Sequence, residues 1–125
     1  MTDTTLYGIK NCDTMKKAFK WLEVNGVDVT FHDYKKQGID EDVLRDAVKQ
    51  HGWENVINRR GTTWRKLPDD VKEAMDDVTA LRVTAENPSI IKRPLLVHKG
   101  NITLGFKDAE YTAIFNDPKH HTKQI

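Results

Sequence analysis

The chain reads as an α/β domain built on a mixed four-stranded sheet, and three observations predict it. Strand, helix and strand follow one another within about 30 residues at the N-terminal end, a unit that requires two parallel strands. A two-strand hairpin signal near the C-terminal end adds an antiparallel pair. Between them lies a block with helical spacing and no obvious strand, so helices are inserted between a β-α-β half and a β-β-α half.

The first strand is Thr5 to Ile9, short and rich in β-branched and aromatic residues. After Cys12 the spacing turns helical. Met15, Ala18, Phe19 and Leu22 fall on one face, while Lys16, Lys17, Lys20 and Glu23 take the wet side. Asn25-Gly26 suits a left-handed C-terminal cap. Val27 to Asp33 then alternates as the second strand, with Val27, Val29 and Phe31 on one face. Asp40 is a good N-cap for a helix through Val43, Leu44, Ala47 and Val48, which Gly52 closes. Trp53 to Ile57 reads as a short helical turn, and Asn58-Arg59-Arg60-Gly61 as a basic loop. Further helices are expected from Pro68 and over Thr79 to Glu86, then a turn at Pro88. Pro94 to His98 and Ile102 to Gly105 are the hairpin strands, joined by Lys99-Gly100-Asn101. A last helix runs from Asp108 to Phe115, with Ala109, Ala113 and Ile114 expected inward. One domain thus covers residues 1–115, with the helical insertion at about 38–91. Residues 116–125 read as a polar tail with no core pattern.

The 20 basic and 19 acidic residues leave a formal charge of +1, so there is no general electrostatic case for nucleic-acid or membrane-surface binding. No apolar run spans a bilayer, and Met1 to Thr5 lacks the basic and apolar regions of a secretory signal, so a cytoplasmic monomer is expected. With one cysteine, an intramolecular disulfide and a cysteine-rich zinc site are both excluded. His32, His51 and His98 are scattered, His120 and His121 are adjacent in the tail, and no metal-ligand spacing emerges. Trp21, Trp53 and Trp64 are expected in packing roles, and the glycine spacing of a phosphate-binding loop is absent.

Cys12 can be a buried inert thiol, a reactive thiol, or one that pairs outside the chain. Its place between a strand and a helix favours reactivity, because helix N–H groups and the positive end of the dipole stabilise a thiolate. Lys10 and Lys16 add positive charge nearby, and Asp13 opposes them. A dithiol oxidoreductase would place its second cysteine where Met15 stands, so an external thiol must resolve any disulfide intermediate. Arg59, Arg60, Arg93 and Lys107 are further cations that can gather at the thiol. The Arg93-Pro94 pair is the most specific of them, since a proline opening a strand there is a candidate cis peptide, and Arg93 offers a planar fork to a carboxylate or oxyanion.

Five stretches together resemble the arsenate-reductase-like (ArsC) family, and within it the YffB/Spx-type branch. They are Tyr7 to Ala18, His32 to Lys36, Asn58 to Leu67, Ile91 to Leu95 and Gly105-Phe106-Lys107. The resemblance implies a thioredoxin-like fold with a helical insertion, Cys12 as nucleophile, and a cis-proline at Pro94 beside Arg93. The chain departs from the family's arsenate reductases at Asp13, Met15 and Lys16, and in carrying Lys107 in place of an arginine. A lysine keeps the charge but loses the bidentate fork, and a carboxylate at position 13 would repel an oxyanion. The Cys-x-x-Cys switch common in the regulatory relatives is missing.

The resemblance therefore implies a glutathione-linked thiol reductase working through a mixed disulfide at Cys12, with no bound cofactor and with glutathione as co-substrate. Lys10, Asn11 and the helix N-terminus are expected at the thiolate. Arg60, Arg93 and Lys107 are expected on glutathione carboxylates, with Pro94 shaping the groove. A glutaredoxin-like protein is the other expected reductant. Arsenate reduction by the same thiol, and an Spx-like regulator that binds RNA polymerase, are the alternatives.

Overall fold

In the computed structural model, residues 4–10 and 12–115 are described; the expectations for Asn11 and for the 116–125 tail lie outside them. Strands β1 (Thr4–Gly8), β2 (Thr30–Asp33), β3 (Leu95–His98) and β4 (Asn101–Leu104) form one sheet in the order β2-β1-β3-β4. β1 pairs with β2 in parallel and with β3 antiparallel, and β3 pairs with β4 antiparallel. This is the mixed α/β sheet the spacing predicts. Helix α1 (Asp13–Val24) supplies the crossover from β1 to β2. The insertion holds α2 (Tyr34–Gln37), α3 (Glu41–His51), α4 (Trp53–Val56), α5 (Thr62–Arg65), α6 (Asp69–Glu73) and α7 (Asp77–Glu86), then a 3-10 turn at Pro88–Ile90. Helix α8 (Asp108–Phe115) follows the hairpin.

The two central strands are buried on both faces, and alternation sends successive side chains to opposite cores. Leu6 and Leu96 join Met15, Ala18, Leu22 and Tyr111 in the core under α1 and α8. Tyr7 and Leu95 join Leu44, Val48, Val56, Val83 and Ile91 in the core under the insertion. Helix α1 ends as expected, since Gly26 takes φ +67°. Gly26 N–H bonds the Glu23 carbonyl and Val27 N–H the Leu22 carbonyl, which together make a Schellman cap. The Asp40 side chain caps α3 by accepting from the N–H groups of Asp42 and Val43. The hairpin turns on Lys99 and Gly100, at φ +52° and +84°, as a two-residue turn of the twist-matching type.

The outer edge of β4 is closed by the end of α3. Gln50 accepts from Ile102 N–H at 3.0 Å and donates to the Gly100 carbonyl at 3.1 Å, while His51 bonds the Ile102 carbonyl. An edge strand left bare would present unpaired backbone groups to solvent and to other strands.

The single turns α2 and α5 are additional to the expected elements, each too short to show a period. The insertion holds no strand, as its spacing predicts, although an isolated bridge joins Ile57 and Ile91. One expectation needs correction: on α8, Ala109 and Ala113 are exposed, while Tyr111 is buried and Ile114 and Phe115 are half-buried. Apolar residues surround that short helix almost evenly, so its own pattern selects no face. Trp21 decides the matter by packing edge-on to Tyr111 at 5.6 Å and against Phe115 at 5.6 Å.

Gly8 sets the distance between β1 and α1. A Cβ there would stand 2.5 Å from Met15 Sδ and 2.8 Å from its Cε, so the buried Met15 side chain would have to shift to admit it. Gly8→Ala is expected to cost about 1–3 kcal/mol by overpacking, read by urea unfolding. In the Gly8→Ala background, Met15→Ala should cost less than it does alone; equal costs in both backgrounds would show that the two positions do not share this contact.

Candidate active site

Cys12 is the N-cap residue of α1, with an extended backbone (φ −145°, ψ 132°) and a carbonyl that accepts the first helical bond, from Lys16 N–H at 3.0 Å. Its side chain is half-buried and its thiol free. The closely packed β1–α1 junction holds it in place, because the chain runs from Gly8 at the end of the strand into a helix anchored by Met15. Burial pushes the thiol pKa up. The backbone N–H groups of Met15 and Thr14 and the guanidinium of Arg93 more than offset this, and the pKa lies below that of an ordinary thiol.

Arg93 reaches the thiol from the other side of the cleft. Its Nη1 donates to the Ser89 carbonyl at 3.3 Å, which aims the guanidinium, and the Arg93-Pro94 peptide is cis. The Pro94 carbonyl accepts from Gly105 N–H at 2.8 Å, fastening the end of β4 beside the cysteine. A second tie joins the insertion to this wall. Asn58 N–H bonds the Ile90 carbonyl and Lys92 N–H bonds the Val56 carbonyl, each at 2.8 Å, on either side of the Ile57–Ile91 bridge.

Beside these ties lies a cleft of about 320 Å³ that Cys12 lines. Thr14, Asn58, Lys92, Arg93, Phe106 and Lys107 form most of its walls, with Gly105 beside them. Phe106 is held edge-on by Tyr111 at 4.7 Å and gives the cleft an apolar side. Three lining residues are cationic and none is acidic, so the cleft favours an anion beside the thiol.

Arg93 and Lys107 therefore share the cleft with Cys12, and Pro94 adjoins it as the cis residue. Lys10 does not line it: its side chain is exposed, and its contact with Cys12 is through its carbonyl, which accepts Cys12 N–H at 3.2 Å. The cation acting on the thiol is Arg93. Arg60 lines a neighbouring cleft of about 440 Å³ with Arg59, Asn58 and Lys92. Arg59 lies over the Trp53 ring at 5.8 Å, and Trp53 stacks on Trp64 at 6.2 Å. Asp13 is exposed and is not a wall of the Cys12 cleft. Thr14, Asn58 and Lys92 had no assigned role in the sequence reading. The backbone ties between residues 56–58 and 90–92 bring the last two to the thiol, and no local pattern marks such ties. Among the described residues no group of three or more His, Cys, Asp or Glu side chains could hold a metal ion. No helix among them is long and apolar enough to cross a membrane.

A four-stranded mixed sheet with a single thiol at the start of its first helix and a cis-proline opposite it defines a thioredoxin-like thiol protein. The chain belongs to the ArsC family, whose model matches residues 7–114. It superposes on a solved YffB protein with a TM-score of 0.85 at 48% identity, over 88% of this chain and 96% of that one. A solved arsenate reductase (ArsC) related protein from Brucella melitensis is 51% identical, with a TM-score of 0.72 over 92% of this chain and 95% of that one. The global transcriptional regulator Spx of Streptococcus agalactiae is 27% identical over 122 residues, 96% of this chain and 87% of the regulator.

The rate of Cys12 alkylation by iodoacetamide should follow one ionisation with a midpoint below that of an ordinary thiol. Arg93→Met should raise the midpoint and Arg93→Lys should restore part of the shift; an unchanged midpoint in Arg93→Met would exclude the guanidinium as a cause. The linked effect on stability has a definite sign. A depressed folded-state pKa stabilises the fold above the pKa of the unfolded thiol, and that contribution is lost as pH falls through the folded-state value. The stability advantage of wild type over Cys12→Ser should therefore grow with rising pH across that window in urea titrations.

Proposed function

We propose that this protein is a thiol reductase that uses Cys12 as its one nucleophile and glutathione as its reductant. The observation that carries this reading is the pairing of a thiol of lowered pKa with a cleft of three cations and no carboxylate. The Cys12 thiolate attacks a sulfur of a disulfide substrate, forming a mixed disulfide and expelling the other sulfur as a thiolate. Glutathione then attacks the substrate's sulfur in that mixed disulfide and releases Cys12 as the thiolate. Met15 supports resolution from outside, since it occupies the position of a second cysteine but is fully buried against Gly8. Arg93 and Lys107 are the groups for a glutathione carboxylate, and Arg60 can act only on the part of a ligand that reaches the neighbouring cleft.

Arsenate is a second candidate substrate, favoured by the same three cations and by Asp13 not being a wall of the cleft. The thiolate would displace an oxygen ligand of arsenate as water, and glutathione would supply the reducing electrons in the following thiol exchange. The regulatory relative points to a different use of the fold, that of a transcriptional regulator.

One set of measurements separates these. With 2-hydroxyethyl disulfide or arsenate as substrate and glutathione, glutathione reductase and NADPH coupled to it, wild type should consume NADPH. Cys12→Ser should lose at least 100-fold in rate while keeping its unfolding free energy within about 1 kcal/mol of wild type. Turnover retained by Cys12→Ser would sink the mechanism. A protein partner captured equally by wild type and Cys12→Ser, with no turnover on either substrate, would favour the regulatory use.

A further inference from the structure

Lys92 lines three clefts. One is that of Cys12, one is that of Arg59 and Arg60, and the third is a space of about 430 Å³ along β4, between the end of α3 and helix α8. Its backbone is fixed by the bond from its N–H to the Val56 carbonyl at 2.8 Å. Its stem crosses Gly105, where an added Cβ would lie 3.2 Å from Lys92 Cε; the glycine, at φ +77°, leaves the path open. A lysine guided along its length in this way loses less freedom on binding an anion than a freely rotating one. Its ammonium makes no ion pair with the described residues.

The cleft along β4 shares Lys92 and Leu104 as walls with that of Cys12, and it also contains Glu110 on α8, again without an ion pair among the described residues. A cation and a carboxylate that share one cleft without pairing are matched by a ligand bearing both charges. We propose that this cleft is a second subsite, holding the end of the thiol substrate remote from its sulfur. It takes an amino-acid-type end, with the carboxylate on Lys92 and the ammonium on Glu110.

The subsite rests on the mixed-disulfide chemistry proposed for Cys12. There the new sulfur–sulfur bond forms as the old one breaks, and the departing thiolate takes a proton from water. Mixed-disulfide formation at Cys12, followed by mass spectrometry, tests both without a full catalytic cycle. The probes are oxidised glutathione, the same disulfide acetylated on its amino groups, and 2-hydroxyethyl disulfide. Wild type should react about tenfold faster with oxidised glutathione than with its acetylated form, the size of one charge-assisted hydrogen bond. Glu110→Gln should bring that ratio close to one. Lys92→Met should lower the ratio of the oxidised glutathione rate to the 2-hydroxyethyl disulfide rate, also by about tenfold. A ratio of one in wild type, or a preference that survives Glu110→Gln, would overturn the subsite and leave the Cys12 chemistry standing. Failure of all three disulfides to form an adduct would overturn the thiol-reductase reading, and the subsite with it.

Discussion

Met15 lies with its sulfur where a side chain on residue 8 would begin, so glycine at the end of β1 lets the methionine seat there undisplaced. The contact does more than fill a core. Because Met15 is only three residues beyond Cys12, seating it against Gly8 places the first turn of α1, and with it the N–H groups of Thr14 and Met15, at the thiol. The same seat occupies the position from which a second cysteine would resolve a disulfide. A tightly packed core leaves no alternative place for a side chain of that size, so packing and redox chemistry share one constraint.

The electrostatics at Cys12 are a contest between burial and fixed dipoles. Half-burial alone would raise the thiol pKa; two backbone N–H groups and one guanidinium reverse the sign. Arg93 can contribute because both ends of its environment are tied: its guanidinium to the Ser89 carbonyl, and the following cis-proline to Gly105. The thiolate and a bound anion then share one positive cleft. An anionic partner is drawn toward the nucleophile by the same charges that hold the nucleophile ionised.

The insertion completes the cleft with a few main-chain bonds. Residues 56–58 and 90–92 are laced together across the Ile57–Ile91 bridge, and this delivers Asn58 and Lys92 to the wall facing Cys12. Gln50 and His51 clamp the edge of β4, and His51 also lines the adjoining cleft. The insertion therefore covers one face of the sheet while also building part of the binding surface, and changes in either role would be felt in the other.

By itself the sequence determined whatever is local or periodic. The β-α-β spacing, the Asn25-Gly26 cap, the Asp40 cap and the Lys99-Gly100 turn each follow from backbone chemistry within a few residues. So does the placing of Cys12 where a strand gives way to a helix. The inward face of α8 was decided by Trp21, which lies far from it in the chain. Of the basic residues, Lys10 and Arg60 were as legible as Arg93 and Lys107, yet only the latter pair lines the Cys12 cleft, while Lys92 was overlooked. Which cation meets a thiol depends on how distant loops are tied together, and those ties are single hydrogen bonds between main-chain groups that every residue type carries, proline lacking only the donor. Local chemistry could name the nucleophile; only the tertiary structure could choose its neighbours.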